Sequence, residues 1–424
     1  MHLKKSKLAV VGLGYVGLSL ATEFGKKRIV IGFDIDQKRI KELKNGYDST
    51  LEVSSENIKN SINLKLTHFI EDIKDCNIYI ITIPTPVDKN NNPDLSLLKN
   101  CCAKIGPFIK KGDIIIFEST VYPGVTEEIC APIIEKESNL KFNEGFFCGY
   151  SPERINPGDK SHGITSIVKV TAGSTKKISK KVDNLYKEII TAGTYNVENI
   201  KIAEAAKIIE NIQRDVNIAL MNEFSIIFNK LNIDTKSVLD AAQTKWNFIP
   251  FYPGLVGGHC ISVDPYYLAL KSLEVGHNPE MILSGRKIND SMAYYVSEQL
   301  KILMIKKNID VKKANILILG FSFKENCPDI RNTKVFDLIN GIRRYNQNID
   351  VYDPWVNKAD IKKEYGIDII PQPIKNKYDA IILAVAHNQF MQLSHKRIKS
   401  FGKVKHVIYD LKFILNKNES DLRL

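Results

Sequence analysis

A short apolar run that ends in Gly12-Leu13-Gly14-Tyr15-Val16-Gly17 and passes straight into a helical pattern limits the possible folds of this chain more than any other feature. Gly12 permits a tight turn, Gly14 lets backbone approach a pyrophosphate, and Gly17 lets the helix pack closely, while the helix N-terminus offers N–H groups and the positive end of its dipole. The next apolar run leads into Asp34. A carboxylate there can accept both ribose hydroxyls of an adenosine and would repel a 2′-phosphate, which favours NAD over NADP. The plainer alternative is a glycine-rich turn beside a surface aspartate, and it accounts less well for the spacing and the flanking strands.

The alternation continues. Residues Lys7 to Val11, Ile29 to Phe33, Tyr79 to Ile83 and Ile114 to Phe117 are short β-branched runs separated by helical segments, the pattern of buried parallel strands. From about Ile200 to Leu231 the period changes: Ile202, Ala205, Ile209, Ile212, Val216, Ala219 and Leu220 recur at three and four, which predicts one long helix. Such a helix links domains or pairs with its copy. A second alternating block comes next, with Asn315 to Leu319, Asp350 to Tyr352, Ala380 to Val385 and His406 to Tyr409 as strands. The fold class expected is therefore α/β: two Rossmann-like, doubly wound parallel-sheet domains joined by a central long-helix domain. The boundaries expected are 1–199, 200–305 and 306–424. The two outer lobes could be distant structural echoes.

A formal net charge of +12, with 44% apolar and 25% charged residues, describes an ordinary globular chain. Its Lys and Arg residues form no long block, and no zinc-finger spacing, RNP motif or basic-region heptad offers nucleic-acid readout; small phosphorylated ligands are the functional use left for the charge. Seven cysteines, at 76, 101, 102, 130, 148, 260 and 327, make no CxxC pair, so a reducing cytoplasm is expected. Lys4, Lys5 and Lys7 before an apolar stretch imitate a secretory signal. Glycines interrupt that stretch, however, and a charged segment comes after it without a small-residue cleavage site. No membrane span is expected.

The second chemical motif is Gly257-Gly258-His259-Cys260-Ile261-Ser262-Val263-Asp264-Pro265. Two glycines allow a ligand close to the backbone, and the thiol beside them could be a nucleophile. Alone, Cys260 reads more readily as a buried structural thiol; in a dehydrogenase it could trap an aldehyde and carry oxidation one level further. His259 is given a backbone-shaping or substrate role, and metal binding is not expected. Lys207 and Asn211 stand four apart on the long helix and share a face. Lys207 could accept an alcohol proton and then, with Asn211, stabilise a negative oxygen. Its plain alternative is an exposed lysine paired with Glu204 or Glu210.

Taken in order, Gly12 to Gly17, Glu118-Ser119-Thr120-Val121-Tyr122-Pro123-Gly124, Ser151-Pro152-Glu153, Lys207 with Asn211, Gly257 to Asp264, and Gly320-Phe321-Ser322-Phe323-Lys324 with Asp329 and Arg331 beyond it resemble the UDP-glucose/GDP-mannose dehydrogenases over nearly the whole chain. The stretch Thr244-Lys245-Trp246-Asn247-Phe248 through Pro253 to Cys260 is most similar to the UDP-N-acetylhexosamine 6-dehydrogenase branch, which serves bacterial capsule or O-antigen synthesis. The resemblance implies an N-terminal NAD domain, a central domain that forms a homodimer, and a C-terminal lobe for UDP. It implies oxidation of the sugar C6 alcohol through a bound aldehyde, its capture by Cys260, a second oxidation to a thioester, and hydrolysis. Glu153 and Asp264 would position or activate the water, with Thr120 assisting. It further implies cofactor contacts from Tyr15, Val16, Arg39, Pro84, Thr85, Ser119, Thr120 and Arg331, and substrate contacts from Glu153, Arg154, Lys207, Asn211, Gly257, Gly258, His259 and Lys324.

Two departures bear on substrate. UDP-glucose members continue past the Pro-Glu pair to a second Glu before Gly, whereas here Pro152-Glu153 runs into Arg154-Ile155-Asn156-Pro157-Gly158, and His259 replaces a small hydroxyl residue beside the thiol. Both resemble the N-acetylhexosamine branch, leave UDP-GlcNAc and UDP-GalNAc open with UDP-glucose as the alternative, and put two-carboxylate water activation in doubt. Two other classes stay open. Cys260 could serve a hydrolase or transferase that uses the dinucleotide fold only as scaffold, or the chain could sense NAD without catalysis.

Overall fold

The computed structural model describes residues 6–88, 92–155, 163–258 and 261–424. It divides into two compact units, Met1–Glu210 with Tyr266–Asn278, and Asn211–Pro265 with Pro279–Leu424. The first unit carries β1 (Leu8–Val11), β2 (Val30–Phe33), β3 (Leu64–Thr67), β4 (Ile78–Ile81), β5 (Ile114–Phe117), β6 (Phe147–Tyr150), β7 (Lys169–Gly173) and β8 (Thr194–Asn196). They form one sheet in the order β3-β2-β1-β4-β5-β6-β7-β8. All neighbours are parallel except β6 and β7. β1, β4 and β5 are buried along their whole length, as strands covered on both faces must be, and their unbroken apolar runs reflect that.

The second unit carries β9 (Ile316–Leu319), β10 (Ile349–Tyr352), β11 (Tyr378–Leu383), β12 (Gly402–Asp410) and β13 (Leu422–Arg423) in the all-parallel order β10-β9-β11-β12-β13. In each sheet the first strand lies between its second and a later one. That reversal opens a crevice at the carboxyl ends of the strands, where open α/β sheets bind ligands.

The two lobes repeat one hydrogen-bond frame. Gly12 comes after β1 with φ +94 and Gly320 after β9 with φ +99. Gly12 N–H donates to Phe33 O at 2.8 Å, and Gly320 N–H to Tyr352 O at 2.8 Å. The next amide is then caught by a carboxylate at the end of the neighbouring strand: Leu13 N–H by Asp34 Oδ2 at 2.7 Å, and Phe321 N–H by Asp353 Oδ2 at 2.7 Å. Beyond that amide the lobes diverge. After Gly12 a helix starts at Tyr15, whereas after Gly320 the next helix starts only at Lys334.

The long helix runs from Ile200 to Lys230 and passes from one unit into the other. Its apolar stripe is not a core face. Ile212 and Ala219 are buried, but Ile202, Ile209, Leu220 and Ile227 are 43%, 55%, 42% and 44% exposed. The buried side mixes polar with apolar residues: Glu204, Lys207, Asn211, Asp215, Asn222 and Ser225 are buried alongside Ala203, Ile208, Ile212, Ala219 and Met221. Periodicity located the helix; it could not say which side the protein covers.

The glycine turn yields a stability contrast. A Cβ on Gly17 would lie 1.8 Å from Gly12 O, whereas one on Gly14 meets nothing within 4 Å. Gly17→Ala should lower the urea-unfolding free energy by at least about 2 kcal/mol through overpacking, and Gly14→Ala should stay within about 1 kcal/mol of the parent.

Candidate active site

At the carboxyl edge of the first sheet, hydrogen bonds tie several of the expected cofactor residues to one another. Thr82, just past β4, donates its hydroxyl to Gly12 O at 2.7 Å and so ties the β4 end to the glycine turn. Thr85 Oγ1 donates to Thr120 O at 2.6 Å, and Ser119 Oγ to Ile83 O at 2.6 Å. These bonds tie the segments after β1, β4 and β5 together at Gly12, Ile83, Thr85, Ser119 and Thr120. Gly14 caps the helix Tyr15–Gly25 without a side-chain cap, and no acidic residue occupies its first turn. With open space where a Gly14 side chain would be, the turn fits a pyrophosphate. Half-buried Asp34 holds Leu13 N–H on Oδ2 and Asp36 N–H on Oδ1, which fixes its rotamer and leaves further lone pairs for ribose hydroxyls.

Arg39 is buried and engaged internally. Its Nε donates to Leu13 O at 3.0 Å, Nη1 to Ser49 Oγ at 3.1 Å, and Nη2 pairs with Asp48 at 2.7 Å. It braces the glycine turn from behind.

Glu153 lies just past β6 and is buried. Its Oε1 accepts the N–H groups of Arg154 and Ile155 at 2.7 Å each, and Oε2 accepts Lys169 Nζ at 2.8 Å. The same ammonium meets Glu118 Oε2 at 2.7 Å, and Tyr186 donates to the other Glu118 oxygen. Burial pushes the Glu118 carboxyl up to about 7, against the pull of Lys169. Burial also works against the Lys169 charge, but the two carboxylates outweigh it and hold this lysine above its usual range. Lys169 is the principal residue that sequence reading missed. Arg154 pairs with Glu210 at 2.8 Å and donates to Val168 O.

Glu204, on the inward face of the long helix, accepts Gly124 N–H at 2.6 Å and Thr126 N–H at 3.0 Å, fastening the Tyr122-Pro123-Gly124 turn. With Glu204 and Glu210 committed elsewhere and Lys207 buried, neither helix neighbour is the partner that an exposed Lys207 would need.

In the second unit, buried Asn211 donates to Oδ2 of buried Asp264 at 2.5 Å, joining two of the expected catalytic residues. His259 and Cys260 lie outside the described residues. Gly257 and Gly258 differ from expectation in what approaches them. A Cβ on Gly257 would lie 2.6 Å from Asn332 O, and one on Gly258, at φ +92, would lie 2.7 Å from the Phe323 ring. Their close contacts are thus to the chain itself, and Gly258 N–H donates to Asn332 O. This packing sets the segment just before Cys260 against the loop that carries Lys324 and Arg331. Arg331 pairs with Asp329 and is partly exposed. Upstream, Asn222 both donates to Gly254 O and accepts Gly254 N–H, and Asn289 links it to Asp215 and Arg286. This buried network also went unread, because it assembles from helices far apart in sequence.

Three family models cover the chain: the NAD binding domain of the UDP-glucose/GDP-mannose dehydrogenase family over residues 6–190, its central domain over 201–291, and its UDP binding domain over 317–417. The chain belongs to this family. It is an NAD-dependent nucleotide-sugar dehydrogenase. Among its relatives, a UDP-N-acetyl-D-glucosamine 6-dehydrogenase of Pseudomonas aeruginosa is 57% identical over 100% of both chains. One of the same name from Salmonella typhi is 56% identical over 99% of this chain and 98% of its own. Among solved structures, the UDP-D-ManNAc dehydrogenase of Pyrococcus horikoshii aligns with a TM-score of 0.89 at 28% identity, over 98% of each chain. Among the described residues, no helix of the dehydrogenase is long and apolar enough to cross a membrane.

Burial also raises Glu204 from 4.5 to about 7, despite its two backbone hydrogen bonds. A carboxyl raised on folding contributes stability below its unfolded pKa and loses that contribution as pH rises through the folded value. Stability should therefore fall between pH about 4.5 and about 7. In Glu204→Gln this fall should shrink by on the order of 2 to 3 kcal/mol, read from denaturant unfolding at a series of pH values.

Proposed function

We propose that this dehydrogenase oxidises the C6 alcohol of a UDP-N-acetylhexosamine, UDP-GlcNAc before UDP-GalNAc, to the uronate by a four-electron route through Cys260. The observation that carries the catalytic reading is the buried Asn211–Asp264 hydrogen bond, with Lys207 one turn before Asn211 on the same helix and Asp264 four residues after the thiol. The substrate reading is supported by the full-length relatives of that name.

The glycine turn and Asp34 would hold the dinucleotide, with Tyr15, Val16, Pro84, Thr85, Ser119 and Thr120 along the crevice and Arg331 as a further contact. Two NAD molecules, bound in turn, would supply the hydride acceptors for the two oxidations. Lys207, buried on the long helix, takes the proton of the C6 hydroxyl. Cys260 Sγ then adds to the C6 aldehyde, and the oxygen that becomes negative is met by Lys207 and by the second N–H of Asn211, the first being committed to Asp264. After the second oxidation, water adds to the thioester carbonyl, the C–S bond breaks and the thiolate leaves. Glu153 and Asp264 orient that water and receive its proton, assisted by Thr120. Arg154, Gly257, Gly258, His259 and Lys324 would contact the substrate.

The working divisions remain 1–199 for NAD, 200–305 for dimer formation and 306–424 for UDP. A homodimer is supported by the stripe of Ile202, Ile209, Leu220 and Ile227, whose exposure suits an apolar face that a second copy covers. A cytoplasmic setting accords with the reduced thiol the chemistry requires, and the uronate would feed a surface polysaccharide.

The enzyme should be incubated with NAD and a panel of UDP-GlcNAc, UDP-GalNAc and UDP-glucose. UDP-GlcNAc should give two NADH per sugar and a product heavier by one oxygen and lighter by two hydrogens. Cys260→Ser should stop short of that stoichiometry or retain a slowly hydrolysed ester. Unchanged NADH yield and rate in that variant would remove Cys260 from the mechanism.

A further inference from the structure

The Ser151-Pro152-Glu153 segment has no second carboxylate of its own, yet one is present. β6 and β7 are antiparallel, with Gly149 opposite Gly173 and Tyr150 opposite Ala172. Continued by three residues, that register sets Lys169 opposite Glu153, and the Ser151 hydroxyl bonded to Val170 O at 2.8 Å keeps the strands together there. Lys169, only 3% exposed, then spans Glu153 at 2.8 Å and Glu118 at 2.7 Å. Among the described residues, the titratable groups meeting in this cluster are Glu118 just past β5, Glu153 just past β6, Lys169 from β7, and Tyr186 from the helix Lys176–Tyr186, whose ring also lies 5.5 Å from Lys169 Nζ.

Lone pairs decide what Glu153 can do. Both lone pairs of Oε1 are taken by backbone N–H groups, and one of Oε2 is taken by Lys169. Among the described residues none takes the last, on Oε2, which leaves it for a water. We propose that Lys169 is a positioning residue for thioester hydrolysis: by bridging Glu118 and Glu153 it makes Glu118 the second carboxylate of the site and shares one positive charge between the two. This rests on the reading of Glu153 as the residue that receives a proton from water. With Glu118 ionised, the cluster carries one net negative charge, which favours that transfer. With Glu118 protonated, the Lys169 charge falls on Glu153 alone and opposes it. Since burial raises Glu118 to about 7, hydrolysis should accelerate as pH rises through that value. Water supplies the hydroxyl that becomes part of the carboxylate, Glu153 takes the proton, and the Cys260 thiolate is the leaving group. No electron moves in this step.

The test isolates hydrolysis from oxidation. Full-length enzyme is mixed with NAD and UDP-GlcNAc, quenched in acid at intervals, and weighed intact, so that the acyl-enzyme appears as a mass adduct whose decay is tracked after substrate is chased. In Lys169→Met the adduct should accumulate and decay at least about tenfold more slowly than in the parent, while the first NADH per site forms at the parental rate. Lys169→Arg, which keeps a cation between the carboxylates, should recover most of the decay rate. Glu118→Gln should decay slowly and lose the pH dependence between about 6 and 8; because it keeps Lys169, it serves where Lys169→Met does not fold. Parental decay in Lys169→Met, or a parental pH profile in Glu118→Gln, overturns the proposal. Glu153→Gln separates the two readings. If Glu153→Gln decays slowly while Lys169→Met is parental, only the Lys169 role fails; parental decay in Glu153→Gln removes the Glu153 reading itself.

Discussion

A carboxylate at the end of one strand that captures the backbone N–H after a positive-φ glycine on the next strand organises both lobes. In the first lobe the carboxylate is Asp34 and the amide is Leu13; in the second they are Asp353 and Phe321. The same frame serves different ends because the two carboxylates are satisfied to different degrees. Asp34 accepts two backbone N–H groups and is half-buried. Asp353 is buried and accepts Phe321 and Ser322 N–H and His387 Nε2 on Oδ2 and Trp355 N–H on Oδ1, twice the donors that hold Asp34. His387 Nδ1 accepts Asn326 N–H, so the ring proton belongs on Nε2, facing Asp353. Burial would raise the Asp353 carboxyl, but the His387 hydrogen bond and the amides hold it below its usual range. One aspartate can still receive a ribose; the other is a keystone of its own loop.

Much of this was legible in sequence, and the reasons for the failures are specific. β1, β4, β5 and β9 announce themselves because strands buried on both faces are unbroken apolar runs. β7 begins with a lysine and β8 reads Thr-Tyr-Asn, and such strands give no signal that a loop would not give. The glycine pattern at Gly12 to Gly17 revealed a crevice because each glycine's role is local. Gly257 and Gly258 signalled a close approach equally well, but sequence does not name the approaching atoms, which are Asn332 and Phe323. Glu118 was visible as part of a motif and Glu153 as a candidate base. Their connection was not, because it passes through Lys169 and depends on the register of an antiparallel pair.

The long helix shows why its polar residues matter more than its apolar ones to the chemistry. Glu204, Lys207 and Asn211 succeed one another at three and four, so they lie on one side of the helix, and all are buried. Glu204 is held from outside the helix by the amides of Gly124 and Thr126. Those two bonds tie this turn of the helix, one turn before Lys207, to the Tyr122-Pro123-Gly124 segment. The motif running from Glu118 to Gly124 therefore acts at both its ends. Its first residue shares Lys169 with Glu153, and its last donates its N–H to Glu204 on the helix that carries the lysine and the asparagine. A buried carboxylate at each end is costly in stability, and apolar residues of similar volume would fill the same space more cheaply. They could not orient an amide or hold a proton near neutrality, and that requirement explains why charge is buried at these two points of the first lobe.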